Sequence, residues 1–399
     1  MTKSNSLRVL HTVERYLPTT ENWVFRLLSN IPDIEVAVAS KTFIPCDFYP
    51  SHFRFLRFPL SIIPPPRRTL VTRLNNFIAD RALRAYPWWA AQKAGPADLV
   101  HSHFAPCAWT YRPTASLLGV PHVVSFYGYD YENLPFREPV WLERYRELFK
   151  SADLFICEGR HGAVTLERMG CPPGKIRVVK LGLDPERVPY ISRRKKPGQL
   201  NLVQIASLVP KKGHLDTVRA FVKALQSCPN MTLTLVGREP GSSGGRITRE
   251  IDKVLTEATR SRVRRLDAID FSRLYEFMTE FDAFIHPSRY SEERDCEGGA
   301  PVVLLDAQAT GLPIISTTHC DIPEEVVHGR TGLLTPESDV EALTASIETF
   351  YKMSEDTYSM FARQAREHVV SEYDIATNAR QLLVEYQRVL LGFSDGSTN

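Results

Sequence analysis

The sequence of 399 residues lacks the features that would place it in several protein classes. No run approaches the roughly 20 apolar residues that a helix needs to cross a bilayer, and the first residues show no apolar signal core. Lys and Arg (49) nearly balance Asp and Glu (46), so the net charge is only +3. These absences argue against a membrane-spanning protein and against a polybasic nucleic-acid binder. We expect a cytoplasmic protein, with any membrane role peripheral.

The cysteines show no spacing typical of a cross-linked or metal-binding protein. Seven are present, at positions 46, 107, 157, 171, 228, 296 and 320, and no two are separated by two residues. We interpret them as reduced thiols and expect neither a disulfide framework nor a zinc site.

Several catalytic motifs are also missing. No two Asp residues and no two Gly residues are separated by one residue, which excludes an Asp-x-Asp metal motif and a G-x-G dinucleotide fingerprint. Residues 241–245 (GSSGG) do fit G-x-S-x-G around Ser243. A nucleophile elbow follows its strand directly, whereas residues 238–240 intervene here, so we interpret this segment as a loop.

The composition, 43% hydrophobic and 24% charged, is that of a globular protein of about two or three domains. Short apolar, β-branched runs alternate with helical patterns such as 140–149 and 215–226, which predicts βαβ units and parallel sheets. The pattern breaks at 189–201 (PYISRRKKPGQLN), a polar segment with Pro and Gly that resembles a linker. We therefore predict two doubly wound α/β domains, residues 1–190 and 191–374, followed by an amphipathic helix in 375–399. Periodicity leaves open whether that helix packs on the second domain or returns to the first.

Two segments of the second half could hold a phosphate. Residues 207–213 (SLVPKKG) follow a predicted strand and combine Lys with Gly, although a lysine pair in a loop is more often solvated. Residues 297–301 (EGGAP) precede a predicted helix over 302–310, whose first N–H groups suit an anion. Asp306 lies in the apolar stretch of that helix, where a carboxylate needs donors from a ligand or from the protein. The nearby acids Glu292, Glu293 and Asp295 are interpreted as a solvated loop.

Polar residues also follow two predicted strands of the first half. These are residues 101–104 (HSHF) and 125–130 (SFYGYD), and side chains at strand ends face the ligand-binding edge of such sheets. Each histidine alone is as readily an ordinary buried or exposed residue.

Residues 54–93 form a cationic, apolar and Trp-rich patch. It contains eight Lys or Arg residues, a single acid (Asp80), and Trp88 and Trp89. This composition predicts an element that lies on an anionic membrane surface, or a helix that packs on its own domain with Arg outward.

The second half resembles the family 4 glycosyltransferases. The resemblance rests on five segments in order, namely 207–213 (SLVPKKG), 233–237 (LTLVG), 286–288 (HPS), 299–313 (GAPVVLLDAQATGLP) and 321–334 (DIPEEVVHGRTGLL). Thinner similarity extends to 18–24, 100–104, 123–130 and 180–184. The nearest branch resembles bacterial exopolysaccharide and lipopolysaccharide enzymes. Membership implies the GT-B fold, a retaining and usually metal-independent mechanism, and a C-terminal helix that returns to the first domain.

The resemblance also implies site residues. The expected catalytic set is Glu297, Asp306, Lys212, Tyr127, Asp130 and His103; the expected donor-binding set is Ser207, Lys212, Gly213, Gly237, Gly298, Gly299, Ala300, Pro301 and Asp306. Lys212 matches the lysine on the donor diphosphate, and Asp306 matches the second acid of the E-x7-E motif, which holds the ribose.

Three positions depart from the family pattern. The first acid of the motif falls on Gly298, so Glu297, one position away, is expected to substitute. An arginine is replaced by Ser207, and a histidine by Tyr127.

We therefore expect an enzyme that moves a sugar from a nucleoside diphosphate to a growing, lipid-linked glycan in cell-surface polysaccharide synthesis. It would act at the inner face of the cell membrane, with no metal, cofactor or nucleic acid. The alternatives are a nucleotide-sugar epimerase or hydrolase on the same fold, and a non-catalytic nucleotide-sugar-binding protein. A Ser243 hydrolase is a more distant one.

Overall fold

A computed structural model describes residues 6–16, 22–44, 52–57, 77–78, 81, 84–241 and 244–396. The chain divides into two compact units. The first combines Met1–Leu181 with Ile375–Asn399, and the second is Gly182–Asp374. The boundary between them therefore precedes the predicted residue 190.

The first unit contains a parallel sheet with the strand order β3-β2-β1-β4-β5-β6-β7. Its strands are β1 (Leu7–Tyr16), β2 (Ile34–Phe43), β3 (Arg54–Arg57), β4 (Leu99–His103), β5 (His122–Ser125), β6 (Leu154–Cys157) and β7 (Ile176–Val178). Every residue of β4, β5 and β6 is buried, because helices cover both faces of the sheet. These helices are α1 (Asn22–Asn30), α2 (Tyr86–Ala94), α3 (Ala105–Leu118), α4 (Leu134–Arg137), α5 (Val140–Ser151) and α6 (Arg160–Arg168).

The second unit repeats this plan with the order β10-β9-β8-β11-β12-β13. Its strands are β8 (Leu200–Ile205), β9 (Met231–Val236), β10 (Val263–Leu266), β11 (Ala283–His286), β12 (Ile314–Thr317) and β13 (Gly332–Thr335). Its helices are α7 (His214–Ala224), α8 (Arg246–Val254), α9 (Glu257–Arg260), α10 (Leu274–Met278), α11 (Val302–Ala309), α12 (Ile322–Glu325), α13 (Val340–Lys352) and α14 (Glu355–Glu372). The predicted class, two doubly wound parallel α/β domains, is confirmed.

The last helix, α15 (Ile375–Gly396), belongs to the first unit. Its apolar stripe, including Ala379, Leu382 and Tyr386, lies in the same core as Val9 of β1. The Tyr386 hydroxyl is also 2.6 Å from Nδ1 of His101. The sequence pattern left open whether this helix packs on the second unit or on the first. In the structure it packs on the first unit.

The predicted linker, 189–201, is mostly exposed, but two of its cationic side chains are buried. Arg193 and Lys195 are 5% and 3% exposed. The Arg193 guanidinium donates to the carbonyl oxygens of Phe281 at 2.6 Å and Met278 at 3.0 Å. A buried cation needs such acceptors, and here they come from residues distant in the sequence. The segment 189–201 therefore lies within the second unit, after the boundary between residues 181 and 182, and two of its side chains are anchored there.

The cationic patch is only partly described. Arg54 and Arg57 belong to β3, an edge strand that the sequence analysis missed. In α2, Tyr86 is fully buried whereas Trp88 is 52% exposed. Arg67, Arg68 and Arg73 lie outside the described residues, as does Ser243 of the GSSGG segment. No helix among the described residues is both long and apolar enough to cross a membrane.

Candidate functional site

The strand order of the second sheet reverses between β8 and β11. Ligands of open α/β sheets bind beyond the carboxyl ends of the strands at such a reversal. The segments that leave these two strands are residues 206–213 and 287–301, which contain most of the predicted donor-binding residues. They are therefore brought to one edge of one sheet.

Two glycines allow this edge to be compact. Gly213 has φ +64°, and a Cβ there would lie 2.0 Å from the carbonyl oxygen of Pro287. Gly237 has φ +148°, and a Cβ there would lie 1.8 Å from the carbonyl oxygen of Ala206. Only glycine fits either position, so these two glycines of the predicted donor-binding set bring neighbouring loops into close contact.

Lys212 and Glu297 form an ion pair at this edge. Lys212 Nζ lies 2.6 Å from Glu297 Oε2, and the Ser288 hydroxyl donates to Glu297 Oε1 at 3.0 Å. The side chains of Lys212 and Glu297 are 17% and 6% exposed. Glu297, although one position from the family spacing, thus has its carboxylate beside the lysine.

The surroundings keep the Glu297 carboxylate charged. Burial alone would raise its pKa, but Lys212, His286 and Lys211 outweigh that effect and hold the pKa well below its usual range. His286 Nε2 lies 3.8 Å from Glu297 Oε1, and burial lowers the pKa of this imidazole. The site therefore contains a buried anion matched to neighbouring cations.

A second lysine reinforces the same loop. Lys211 Nζ donates to Asp295 Oδ1 at 3.0 Å and to the carbonyl oxygen of Cys296 at 2.8 Å. Glu292 and Glu293 are exposed, as expected of a solvated loop. Asp295 pairs with Lys211 while its side chain remains 37% exposed, so the pair forms at the solvated surface of the loop.

The turn into α11 contains the extra residue that separates Glu297 from the family spacing. Gly298 has φ +82° and Pro301 has φ −65° directly before the helix starts at Val302. Gly298 and Gly299 are buried, and Ala300 is partly so. The first N–H groups of a helix have no intrahelical partner, so this turn places potential anion donors next to Glu297 along the chain.

Asp306 lies within α11 and is 4% exposed. The Tyr275 hydroxyl of α10 donates to its Oδ1 at 2.9 Å. The sequence analysis expected donors to Asp306 from a ligand or from the protein. The Tyr275 hydroxyl is a protein donor and offsets part of the cost of burying the carboxylate. Ser207, at the end of β8, is exposed.

The first sheet reverses its order between β1 and β4, and His103 is the last residue of β4. Its Nδ1 is 2.9 Å from the Tyr127 hydroxyl and its Nε2 is 3.2 Å from Nδ1 of His11. The rings of His101 and His103 stack at 4.4 Å. These three histidines are completely buried.

Burial makes this cluster neutral. It lowers the pKa of His103 to about 3, and it lowers the pKa values of His11 and His101 well below the usual range. Neutral imidazoles can accept as well as donate hydrogen bonds.

Asp130 holds backbone in place. Its Oδ1 accepts from the N–H of Ala105 at 3.0 Å and its Oδ2 accepts from the N–H of Tyr127 at 2.9 Å. The side chain is completely buried, and this burial raises its pKa to about 8. Asp130 therefore positions Tyr127 and the start of α3.

Sequence reasoning omitted several residues of these two edges from its site lists. Ser288 and His286 lie beside Glu297, Tyr275 contacts Asp306, and Lys211 pairs with Asp295 of the same loop. The ring of Trp23 lies 4.4 Å from that of Tyr127. Ser288 and His286 could have been found, because they end a strand that neighbours β8. Tyr275 and Trp23 come from helices with no such signal.

Comparison with known proteins agrees with these features. The family described as Glycosyltransferase Family 4 matches residues 33–187, and Glycosyl transferases group 1 matches residues 199–353. The chain is 30% identical over 292 residues to WcaL of Salmonella typhimurium, named as a colanic acid biosynthesis glycosyltransferase, covering 72% of this chain and 69% of WcaL. The chain belongs to glycosyltransferase family 4.

This family 4 glycosyltransferase also resembles a second bacterial enzyme in sequence and a solved structure in fold. Amylovoran biosynthesis glycosyltransferase AmsK of Erwinia amylovora is 27% identical over 292 residues, which is 73% of this chain and 70% of AmsK. The crystal structure of Anabaena HepE in complex with UDP and glucose superimposes with a TM-score of 0.72 at 16% identity, covering 96% of this chain and 99% of HepE. That likeness supports the GT-B fold.

Proposed function

We propose that this glycosyltransferase moves a sugar, with retention of anomeric configuration and without a metal ion, from a nucleoside diphosphate to a growing, lipid-linked glycan. The reaction would serve cell-surface polysaccharide synthesis. The similar proteins WcaL and AmsK are named for the biosynthesis of colanic acid and of amylovoran, which supports this assignment. The Lys212–Glu297 pair at the reversal point of the second sheet is the observation that carries the proposal.

The donor diphosphate binds between the two segments that leave β8 and β11. Lys212 Nζ supplies a cation, and the first N–H groups of α11 supply further donors after the Gly298–Pro301 turn. Negative charge builds on the diphosphate as its bond to the sugar breaks. Groups already in place stabilise that charge more in the transition state than in the ground state.

The two acids take different parts of the donor. Glu297 accepts hydrogen bonds from sugar hydroxyls, because its carboxylate is charged beside Lys212. Asp306 accepts from the ribose, with Tyr275 already donating to one of its oxygens. A carboxylate has about four acceptor sites, so one protein donor leaves capacity for a ligand.

The first unit contributes the sugar and acceptor side. Tyr127 offers a neutral hydroxyl, and the buried, neutral imidazole of His103 holds that hydroxyl in place from Nδ1. Such groups hydrogen-bond to hydroxyls without attracting a second diphosphate. Asp130 acts indirectly, by holding the Tyr127 turn.

Retention follows a front-face route, in which the acceptor hydroxyl attacks on the side from which the diphosphate leaves. This route needs no nucleophile from the enzyme. Lys212 and the start of α11 supply the positive charge that a metal ion supplies elsewhere.

The enzyme works on the cytoplasmic face of the cell membrane. Residues 54–93 contain eight cationic residues, and Phe77, Ile78 and Trp88 are each more than half exposed. Cations together with exposed apolar side chains suit the headgroup region of an anionic bilayer.

Product analysis with a lipid-linked acceptor tests the proposal. NMR of the product should show the same anomeric configuration as the donor, and a chelator should leave the rate unchanged. Nucleoside diphosphate should be released at an appreciable rate only when acceptor is present. Release without acceptor would indicate a hydrolase, a changed sugar without release an epimerase, and binding without either a non-catalytic protein.

A further inference from the structure

Three potential metal-ligating side chains lie together beside the donor loop and have no part in the proposed reaction. They are Cys296, His319 and Cys320, and one ligand atom from each lies within 4.8 Å of the others. His319 Nε2 is 3.2 Å from Cys320 Sγ. Cys296 is 24 residues from Cys320 in the sequence, so the cluster has none of the spacings by which zinc sites are found in sequences.

The cluster has one accessible member. Cys296 and the His319 side chain are buried, whereas Cys320 is partly exposed. Buried ligands provide a dry and rigid site, and the exposed thiol provides a route by which an ion can enter.

Other contacts hold the His319 ring in a metal-binding orientation. Nδ1 of His319 lies 2.8 Å from Glu337 Oε1, and the N–H of Glu297 donates to Nε2 at 3.1 Å. Because the Glu297 N–H points at Nε2, the neutral form of the ring has its proton on Nδ1 and its Nε2 lone pair towards Cys320 Sγ. Burial lowers the pKa of this imidazole, but Cys320 and Glu337 outweigh burial and raise the pKa to about 9, so an ion that binds near neutral pH also displaces a proton from the ring. A carboxylate on the far nitrogen of a ligating histidine is a common outer partner in zinc sites.

We propose that Cys296, His319 and Cys320 form a site for zinc or a similar thiophilic divalent cation, with the fourth position open. Zinc takes thiolate and imidazole ligands at about 2.3 and 2.0–2.1 Å, which puts neighbouring ligand atoms about 3.5 Å apart. His319 Nε2 and Cys320 Sγ, 3.2 Å apart, lie near that spacing, and all three ligand atoms lie within 4.8 Å of one another, so small side-chain movements would complete the site. Each thiol releases its proton as it binds.

The ion would be an inhibitor rather than a cofactor. It would compete with the backbone N–H of Glu297 for the lone pair on Nε2 of His319. Nε2 of His319 now accepts from the N–H of Glu297, whose carboxylate pairs with Lys212. A cation on Nε2 must displace that N–H and so shift Glu297. Metal and sugar nucleotide should therefore weaken each other's binding by the same factor; this coupling rests on the proposed donor site, but the metal site itself does not.

A second cluster, of His11, His101 and His103, is less suited to a metal. Both ring nitrogens of His101 are engaged, Nδ1 with the Tyr386 hydroxyl and Nε2 with the Ser125 hydroxyl. The test must nevertheless distinguish metal binding at the two clusters. A signal that requires sulfur ligands does so, because only the cluster of Cys296, His319 and Cys320 contains sulfur.

Titration of the full chain with Co²⁺, in a reductant that does not bind metals, tests the metal site directly. Thiolate ligation of cobalt produces a near-ultraviolet charge-transfer band, which histidines alone do not. We expect the band in the wild type and in Cys171→Ser, a buried thiol of the first unit, and its loss in Cys320→Ser. Glu337→Gln, which leaves all three ligands present, should weaken Zn²⁺ binding roughly 10- to 100-fold in competition with a chromophoric chelator.

A wild type without the band, or a Cys320→Ser variant that keeps it, would overturn the proposal. Circular dichroism of each variant establishes that it is folded. Sugar-nucleotide binding should weaken when Zn²⁺ is added to the wild type and stay the same in Cys320→Ser; an unchanged affinity in the wild type would disprove the inhibitory coupling. The cobalt band does not depend on any donor, so failure of the proposed function would leave this test intact.

Discussion

The two units have the same strand order around the reversal point but place opposite chemistry there. The second unit gathers formal charges, with Lys211 and Lys212 facing Asp295 and Glu297. The first gathers buried imidazoles that burial keeps neutral, with His11, His101 and His103 in one cluster. The backbone plan therefore fixes where each site lies, and the residues at the strand ends decide whether it suits a diphosphate or a hydroxyl.

Removing the Lys212 cation of the second unit should have the largest effect on the reaction. Lys212→Ala should lower kcat/KM for the donor by about 2–4 kcal/mol in transition-state terms, as for other lost charge-stabilising contacts. Steady-state kinetics with saturating acceptor measure this effect. Lys223→Ala, which removes a lysine from an exposed ion pair on α7, is the control and should act normally. Equal activity in both variants would disprove the phosphate assignment.

The membrane patch should contribute an effect of similar size, in binding rather than turnover. Replacing Arg67, Arg68 and Arg73 with Gln should weaken binding to anionic vesicles by about 1 kcal/mol per charge. Vesicle sedimentation at low and high salt measures it, with Arg249, an exposed arginine of α8, replaced as the control. Retained binding of the triple variant would make the patch an ordinary protein surface.

The neutral cluster of the first unit should make stability depend on pH. The folded pKa of His103 is about 3, below the unfolded value of about 6.5, so the unfolded chain binds more protons between these values. Stability is therefore lost as the pH falls below about 6.5, and by pH 5 His103 alone should account for about 2 kcal/mol. Urea unfolding at pH 7 and pH 5 should show a smaller loss in His103→Gln than in the wild type. An equal loss in both proteins would show that His103 is not buried neutral.

A smaller effect should mark the attachment of α15 to the same cluster. Tyr386→Phe removes the hydroxyl that lies 2.6 Å from His101 Nδ1, and should lower the free energy of unfolding by about 1 kcal/mol. Tyr190→Phe, in which the hydroxyl comes from a 42% exposed side chain, is the matched control. Denaturant midpoints compare the two, and equal stability would show that the hydrogen bond contributes nothing.

Much of the fold could be predicted, because buried parallel strands leave continuous apolar runs in the sequence. The short edge strand β3 could not, since its four residues RFLR contain only two apolar side chains, which lie between exposed arginines. The anchoring of segment 189–201 could not be predicted either. Nothing in the sequence indicates that distant carbonyl groups accept hydrogen bonds from Arg193 and Lys195.

The candidate site could be predicted where its residues directly follow strands. It could not be predicted where contacts depend on how loops and helices pack against one another. Lys212 and Glu297 come from segments that leave two neighbouring strands, so their contact follows from the sheet order. Asp130 looked like a site residue from its motif, yet both its oxygens hold backbone N–H groups. The pairing of Cys296 with His319 and Cys320 depends on how two loops pack, which spacing does not encode.

Ligand-observed NMR against a panel of UDP-, GDP-, ADP- and TDP-sugars tests the central claim most directly, namely that the second unit holds the donor through Lys212. The wild type, Lys212→Ala and His103→Gln are compared at pH 7. We predict that one sugar nucleotide binds the wild type, loses most of its affinity for Lys212→Ala, and loses less for His103→Gln. Binding that survives Lys212→Ala but is lost in folded His103→Gln would contradict the account.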